Sequence, residues 1–270
     1  MCTVTVVPLG GAAQAGWDAY RLACNRDEQR TRPPAAGPRP QHAGALRAIW
    51  PVDPVGGGTW VGANECGVVL SLLNRNIEPA GPHRNEDPRE SRGAIIPAAL
   101  EQPSLAAVAR FLKEEIDPKR YPPFRLIGVD GINSLVCEGT GATLRVEVAP
   151  LGSAPLFITS SGLGDALVEG PRRALFNEWF FAEGESVAGG ASAPAQPRAM
   201  SITQRQDAFH RHSWPDRTHL SVCMRRDAAR TVSFTAVTVS PDVLEFHYHA
   251  GPPDETAAET TIPLPRRRSD

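Results

Sequence analysis

Residues 1–7 read MCTVTVV and residues 20–28 read YRLACNRDE, and these two stretches decide the predicted fold. The first is a short run rich in β-branched residues, which favours a strand that begins at Cys2. A glycine-rich turn separates the two stretches, so we predict that they form an antiparallel hairpin. In such a hairpin Arg26 and Asp27, at the end of the second strand, lie within side-chain reach of Cys2.

Cys2 directly follows the initiator methionine, which is normally removed when the next side chain is small. Removal would place a free α-amine and a thiol on the same residue. An α-amine with a pKa of about 7.7–8.0 can accept the thiol proton near neutral pH and so create a thiolate nucleophile. The N-terminal segment lacks the basic residues and apolar length of a signal peptide or membrane span, so we expect a cytoplasmic protein.

The composition limits the remaining classes of function. A chain of 270 residues with 41% hydrophobic content can bury a full core, and we expect one domain over residues 1–270. The formal net charge of -2 gives no cationic bias of the kind that draws proteins onto nucleic acid. Five cysteines without CxxC spacing argue against a disulfide framework and a zinc site, and fit a reducing compartment.

The rest of the chain is predicted to consist mostly of strands. Beyond the first hairpin, they are expected at residues 58–62, 68–73, 125–129, 134–137, 143–148, 156–159, 220–224, 230–239 and 243–249. Ser104 can cap a helix over residues 105–116, and Pro171 suits the first turn of another that runs to about Ala182. Many antiparallel strands with helices between them indicate an α+β fold of stacked sheets flanked by helices.

Three segments are predicted to lie outside regular structure. Residues 30–40 contain four prolines and are expected to form a loop. Residues 184–200, rich in Gly, Ala, Ser and Pro, are expected to be a flexible internal loop. Residues 262–270 contain the only basic cluster and are expected to be a solvated tail.

Several motifs together resemble the transport and Golgi organisation 2 family, also called the NRDE family. They are Cys2 at the start of strand one, NRDE at residues 25–28, GGTWVG at 57–62, GLGDAL at 162–167 and, more weakly, SVC at 221–223. A more distant similarity is to choloylglycine hydrolases and penicillin V acylases, which also begin Met-Cys and carry a G-x-N-E-x-G turn. Here that turn is GANECG, residues 62–67, and the following strand ends at Asn74. The resemblance implies a four-layer αββα sandwich of the N-terminal-nucleophile (Ntn) hydrolase type.

The chemistry of amide cleavage suggests a role for each residue near Cys2. The charge of Arg26 would lower the pKa of the thiol, and Asp27 would accept a hydrogen bond from the amine and orient it. Asn74 is the candidate donor to the oxyanion. Asn25 and Glu28 complete the tetrapeptide as supporting candidates. The structural alternatives are a buried apolar cysteine, an ion pair at Arg26, and an asparagine that only caps a turn.

The sequence departs from the relatives at three supporting positions. The acylases place an Asn after a mid-chain Thr, where this chain has Ser160. The NRDE family usually has Asn where this chain has Asp165, whose charge would oppose an oxyanion unless it faces elsewhere or is neutralised by Arg172 or Arg173. The acylases also use a late arginine, for which Arg225 and Arg230 are both candidates in this chain.

Two hypotheses of different class follow. The first is a cysteine amidohydrolase that acts on a small non-peptide linear amide, with no cofactor. The second is a non-catalytic carrier on the same scaffold, since the resembled family has been linked to haem handling and lipid homeostasis. His247 and His249 would present both rings on one face of a strand, a spacing suited to haem iron or a metal, and His210 and His212 share this spacing. Exposed histidines on a loop and a strand end are the alternative interpretation.

Overall fold

The computed structural model describes residues 2–9, 19–76, 89–181 and 200–267, and the elements given below lie within these ranges. In chain order the strands are β1 (Cys2–Pro8), β2 (Tyr20–Gln29), β3 (Ala36–Ala43), β4 (Leu46–Val52), β5 (Val61–Asn64), β6 (Val69–Asn74), β7 (Phe124–Val129), β8 (Asn133–Gly139), β9 (Leu144–Pro150), β10 (Leu156–Thr159), β11 (Ala229–Val239), β12 (Val243–His249) and β13 (Glu259–Pro265). The α-helices are α1 (Ile95–Ala99), α2 (Leu105–Glu115), α3 (Asp165–Phe180) and α4 (Ile202–Arg211). No helix in the described ranges combines the length and the apolar composition needed to cross a membrane.

The strands form two antiparallel sheets stacked face to face. One sheet has the order β10-β1-β2-β11-β12-β13, and the other runs β3-β4-β5-β6-β7-β8-β9. Their inner faces share one core, in which Val4 and Leu22 of the first sheet join Val69 and Ile127 of the second. Each such buried aliphatic side chain contributes about 1.5–3 kcal/mol to folding. Strand alternation therefore decides which residues of β1 and β2 point between the sheets.

Helices cover the outer face of each sheet, which completes the predicted αββα sandwich. The apolar side of α2, with Leu105, Val108 and Leu112, packs on the seven-stranded sheet. Ser104 caps this helix as predicted, its hydroxyl accepting the main-chain N–H of Ala107 at 3.3 Å. Helices α3 and α4 cover the six-stranded sheet, and an aromatic cluster joins them. The predicted fold class is confirmed.

The predicted loop at residues 30–40 is wrong for its second half. Strand β3 begins at Ala36 and includes Pro38 and Pro40. Strand β3 lies at the edge of the seven-stranded sheet and pairs only with β4. A proline, which has no N–H, therefore removes no inter-strand hydrogen bond on the unpaired side of the strand. A shift in the β3–β4 register between Ala36 and Arg39 accommodates the local irregularity.

The predicted start of α3 at Pro171 is also wrong, because the helix begins six residues earlier at Asp165. Gly164 precedes it with φ of 103°, a conformation that glycine adopts without a side-chain clash. Pro171 therefore lies inside the helix. The carbonyl that loses its partner belongs to Leu167, which is half exposed and can bind water instead.

The predicted basic tail is corrected as well. Residues 259–265 form β13, which pairs with β12, and Leu264 is buried. Arg266 donates hydrogen bonds to the carbonyls of Ser240 and Cys66. Of the predicted flexible loop at residues 184–200, all but Met200 lie outside the described residues, as do residues 268–270.

Candidate active site

Cys2 is the first residue of β1 and points between the sheets. It lies directly opposite Arg26 in the β1–β2 register, as the hairpin prediction requires. The residue is only 4% exposed, and its side chain borders a cavity. Alternation along β2 places Arg26 on the same inner face as Cys2, whereas Asn25 faces the helices.

Ser160 holds the main-chain nitrogen of Cys2. The Cys2 N–H donates to the Ser160 hydroxyl at 3.1 Å, and the Ser160 N–H donates to the Cys2 carbonyl at 2.9 Å. Ser160 is fully buried and directly follows β10, which pairs with β1. The nitrogen that would become the α-amine thus has a fixed hydrogen-bond acceptor.

The cavity beside Cys2 has a volume of about 290 Å³. Its lining comprises Cys2, Arg26, Asp27, Glu28, Gln29, Arg32, Asp53, Gly58, Thr59, Trp60, Leu72, Asn74, Ser91, Arg92, Gly93, Gly162 and Arg226. All four predicted catalytic residues are in this set, together with Glu28. Five supporting candidates do not line the cavity: Asn25, Ser160, Asp165, Arg225 and Arg230. Of these, Ser160 forms hydrogen bonds with Cys2.

Arg26 is fixed by an ion-pair network that includes Asp53, a partner that the sequence did not reveal. Its Nη2 atom lies 2.6 Å from Asp53 Oδ2 and 3.6 Å from Glu28 Oε2. Its guanidinium carbon lies 4.1 Å from the centroid of the Trp60 ring, a cation–π distance. Burial opposes ionisation of Asp53, but the hydrogen bond from Arg32 and the charge of Arg26 outweigh it and lower the pKa of that carboxyl. The predicted ion pair at Arg26 and its predicted place beside Cys2 therefore coexist.

Asp27 is buried at the same end of β2. Its Oδ1 atom accepts a hydrogen bond of 2.7 Å from the Thr231 hydroxyl. Burial raises the pKa of the Asp27 carboxyl, and the positive charge of Arg172 opposes that rise. A carboxylate in this setting is a stronger proton acceptor than an exposed one, which suits a group that orients an amine.

The Cys2 thiol is paired with a second buried cysteine. The neighbouring Cys24 thiol lowers the pKa of Cys2, as does the charge of Arg26, whereas burial and the charge of Asp27 raise it. The pKa of Cys24 is raised in turn, because it lies beside the Cys2 thiol and is itself buried. Of the two thiols, Cys2 is therefore the one that ionises first.

Asn74 is the last residue of β6 and lines the cavity from the seven-stranded sheet. It is half buried, and no described residue forms a hydrogen bond with its amide. The alternative role as a turn cap thus has no support within the described part of the chain. Asn74 thus borders the cavity from the sheet opposite the one that carries Cys2.

Asp165 is turned away from the cavity into the protein. Its two carboxylate oxygens accept the main-chain N–H groups of Ser161 at 2.9 Å and Asn76 at 3.0 Å. The nearest basic group is Arg125, 3.7 Å away, rather than Arg172 or Arg173. Through these two hydrogen bonds the Asp165 carboxylate links the segment after β10 to the segment after β6.

This geometry predicts a structural role for Asp165. Replacement by alanine leaves two buried N–H groups without their acceptor, at a cost of about 1–3 kcal/mol for each. Asp165→Asn keeps one acceptor oxygen and should lose less. The measurement is the midpoint of urea-induced unfolding for each variant. An alanine variant as stable as the unmodified chain would contradict this linking role of Asp165.

The two late arginines predicted as alternatives form ion pairs elsewhere. Arg225 lies 2.7 Å from Asp254 and 3.1 Å from Glu255, and Arg230 lies 3.5 Å from Glu255. The arginine from this late part of the chain that lines the cavity is Arg226, the neighbour of Arg225. Sequence position alone could not separate adjacent arginines that point in different directions.

The remaining polar candidates lie away from Cys2. Asn25 donates to the carbonyls of His210 and Val222, both at 2.9 Å, on the helix side of the sheet. His210 is fully buried within α4, so both its predicted strand geometry and its predicted exposure are wrong. His249 is also buried, with Nδ1 3.1 Å from Glu259 and Nε2 3.0 Å from the Pro252 carbonyl, and His247 contacts Thr261. Within the described ranges no three His, Cys, Asp or Glu residues are grouped as metal ligands would be.

Comparison with known proteins gives one family and one fold. The family model of Transport and Golgi organisation 2 matches residues 12–153. No curated protein sequence matches the chain.

Solved structures with similar folds include an acylase, an amidase and a bile acid hydrolase. Penicillin V acylase from Agrobacterium tumefaciens aligns with a TM-score of 0.55 and 13% identity over 97% of this chain and 86% of that one. The Caenorhabditis elegans ortholog of N-acylethanolamine-hydrolyzing acid amidase aligns with a TM-score of 0.53 and 14% identity over 87% and 92%. A mutant of conjugated bile acid hydrolase from Clostridium perfringens aligns with a TM-score of 0.50 and 12% identity over 100% and 97%. The fold is thus that of the Ntn hydrolases, as the sequence motifs predicted.

Proposed function

This chain belongs to the Transport and Golgi organisation 2 family, and we propose that it is an N-terminal cysteine amidohydrolase that cleaves a small non-peptide linear amide through an acyl-Cys2 intermediate. One observation supports this proposal above all others. Cys2 borders the cavity, its main-chain nitrogen is held by the Ser160 hydroxyl, and the charged groups of Arg26 and Asp27 lie beside it.

The first half of the proposed reaction forms the acyl-enzyme. Once Met1 is removed, the α-amine of Cys2 takes the thiol proton, and the thiolate attacks the amide carbon. The carbonyl electron pair moves onto oxygen, and Asn74 Nδ2 donates a hydrogen bond to this oxyanion. Collapse of the tetrahedral intermediate breaks the C–N bond, and the α-ammonium group protonates the departing amine. Ser160 and Asp27 orient the amine throughout.

The second half regenerates the enzyme. The α-amine removes a proton from a water molecule, whose oxygen attacks the thioester carbon. A second oxyanion forms in the same place and collapses with cleavage of the C–S bond, which releases the carboxylic acid. The thiolate then recovers its proton from the α-ammonium group, so that one water is consumed for each amide cleaved.

The cavity limits the class of substrate. Its volume of about 290 Å³ is at the lower end of the ~300–1000 Å³ of typical ligand sites, which favours a small molecule over a peptide. Trp60 and Leu72 offer an apolar wall, and charged groups supply the rest of the lining. We place the reaction in the cytoplasm, since a reducing compartment keeps the Cys2 thiol free.

A panel of electrophilic acyl probes tests the proposal. β-Lactones and activated amides of varied chain length are incubated with the purified protein, and the intact mass and the modified peptide are determined by mass spectrometry. We expect stoichiometric acylation at Cys2, followed by slow release of the acid. Acylation spread over several cysteines, or none across the panel, would contradict the proposed nucleophile.

Failure of the whole panel would favour the carrier hypothesis. A non-catalytic scaffold that handles haem or an acylated metabolite needs no reactive thiol. Haem titration followed by Soret absorbance, with His247→Ala and His249→Ala as variants, separates specific ligation from adventitious haem.

The proposed oxyanion donor gives a quantitative prediction. Asn74→Ala should lower kcat for amide hydrolysis about 100- to 1000-fold with a much smaller change in KM, because the donor acts on charge that develops in the transition state. Asn74→Asp should lose at least as much, since a carboxylate repels the oxyanion. Asn177→Ala, on the exposed side of α3, is the matched control. Equal kinetics for the Asn74→Ala and Asn177→Ala proteins would rule out this role.

A further inference from the structure

Arg172 is a buried cation behind the sheet that carries Cys2. It lies in α3, its exposed fraction is 1%, and its guanidinium group reaches the helix side of the six-stranded sheet. Nε donates to the Leu220 carbonyl at 2.9 Å, and Nη1 donates to the hydroxyls of Thr3 and Thr159, both at 2.8 Å. One guanidinium group thus joins an α-helix to two strands and a loop.

The two threonines are the immediate neighbours of the site residues. Thr3 follows Cys2, and Thr159 precedes Ser160, the acceptor of the Cys2 N–H. They pair across β1 and β10, with their hydroxyl oxygens 3.0 Å apart. Because successive side chains of a strand point to opposite faces, Arg172 fixes from behind the two strand ends that present the thiol and the amine.

The charge of Arg172 has a definite counterpart. A buried guanidinium group is costly without an anion nearby, and the acidic groups whose charge acts on Arg172 are Asp27 on β2 and, through the sheet, Cys2 on β1. The other titratable groups near it are Arg226, a like charge, and His210 of α4, whose pKa burial lowers to about 3, so that it is neutral. The field of Arg172 at the site therefore acts on one carboxyl and one thiol.

We propose that Arg172 is a positioning residue that acts through the sheet, tying the ends of β1 and β10 together and stabilising the anionic forms of Asp27 and Cys2. The inference rests on the proposed function, because it assigns these anions a purpose. Arg172 does not line the cavity. It would nevertheless influence the pH range over which the site is active, from a helix on the opposite face of the sheet.

The test is the pH dependence of Cys2 alkylation by iodoacetamide, followed on the Cys2 peptide by mass spectrometry. In Arg172→Met the apparent pKa of the thiol should rise by about one unit, so that the alkylation rate below that pKa falls about tenfold. Arg172→Lys keeps the positive charge but loses the several N–H donors of the guanidinium group, so it should shift the pKa of the thiol less. Arg173→Met is the matched control, because Arg173 lies next in α3 and is ion-paired with Glu169 at the surface. If amide hydrolysis is found, its acidic limb should also move to higher pH in Arg172→Met, since Asp27 would then protonate more readily.

A folded Arg172→Met protein whose alkylation profile coincides with that of Arg173→Met would overturn the inference. If Arg172→Met does not fold, the double variant Asp27→Asn with Arg172→Met decides, because it removes both buried charges. Recovery of folding in the double variant supports the charge pairing, and no recovery refutes it. Alkylation needs no substrate, so a chain that hydrolyses no amide yet shows the Arg172 shift would refute the proposed function and leave this inference standing.

Discussion

Replacing Cys2 with alanine should abolish acyl-probe labelling and lower amide hydrolysis by roughly 10⁴- to 10⁶-fold, the loss typical when the nucleophile of a covalent mechanism is removed. The fold should persist, because Cys2 lies at the end of β1 and the change removes a single sulfur atom from the cavity edge. Cys2→Ser keeps a hydroxyl in place, but its much higher pKa leaves almost no anion near neutral pH, so we expect a loss of similar size. Intact-mass spectrometry with a β-lactone probe and a continuous amidase assay measure both effects.

Cys66→Ala is the matched control for this experiment. Cys66 is the most exposed of the five thiols and lies in the turn between β5 and β6, outside the cavity lining. Burial and the charge of Glu65 raise the pKa of Cys66, so its thiol should react slowly. Labelling that survives in Cys2→Ala but disappears in Cys66→Ala would assign the reactive thiol to the turn and remove the basis of the proposed mechanism.

The fold could be predicted largely from local patterns. The β1–β2 hairpin and the Ser104 cap each depend on residues close in sequence, and each is found where it was predicted. The errors arise where tertiary context overrides local preference. The prolines of β3 are tolerated because the strand is at an edge, and Pro171 is tolerated because the freed carbonyl is on an exposed turn.

Only those site residues that are related by local sequence could be predicted to lie together. Cys2, Arg26 and Asp27 could be placed together because a hairpin fixes their register. Asp53, which holds Arg26, has no local signal, since nothing in the sequence relates the β4–β5 connection to the end of β2. The same holds for Arg172, which differs from the adjacent Arg173 only in the side of α3 on which it lies.

An N-terminal extension that leaves Cys2 inside the chain should reduce amide hydrolysis on the order of 10²- to 10⁴-fold, the contribution typical of a positioned general base. Acylation of the α-nitrogen removes its basicity, so the thiol would lose its proton acceptor while every side chain stays in place. The experiment uses one preparation of protein whose extension carries a protease site directly before Cys2. Activity and probe labelling are measured before and after cleavage, and Edman degradation or intact mass confirms that Cys2 is then the first residue.

Cleavage should restore activity in the Cys2 protein and leave the Cys2→Ala protein inactive, which separates release of the amine from any effect of the extension on substrate entry. A second control is an extension that is cleaved to leave one residue before Cys2, because it removes the steric bulk but not the acylation of the nitrogen. If this one-residue form were as active as the chain that begins at Cys2, another group would have to be the base. The Ser160 hydroxyl accepts the Cys2 N–H at 3.1 Å with the nitrogen in amide form, so this hydrogen bond does not require a free amine. We therefore attribute the expected loss of activity to the chemistry of the nitrogen. The thiol and its cavity remain, but the lone pair of an amide nitrogen cannot accept the thiol proton.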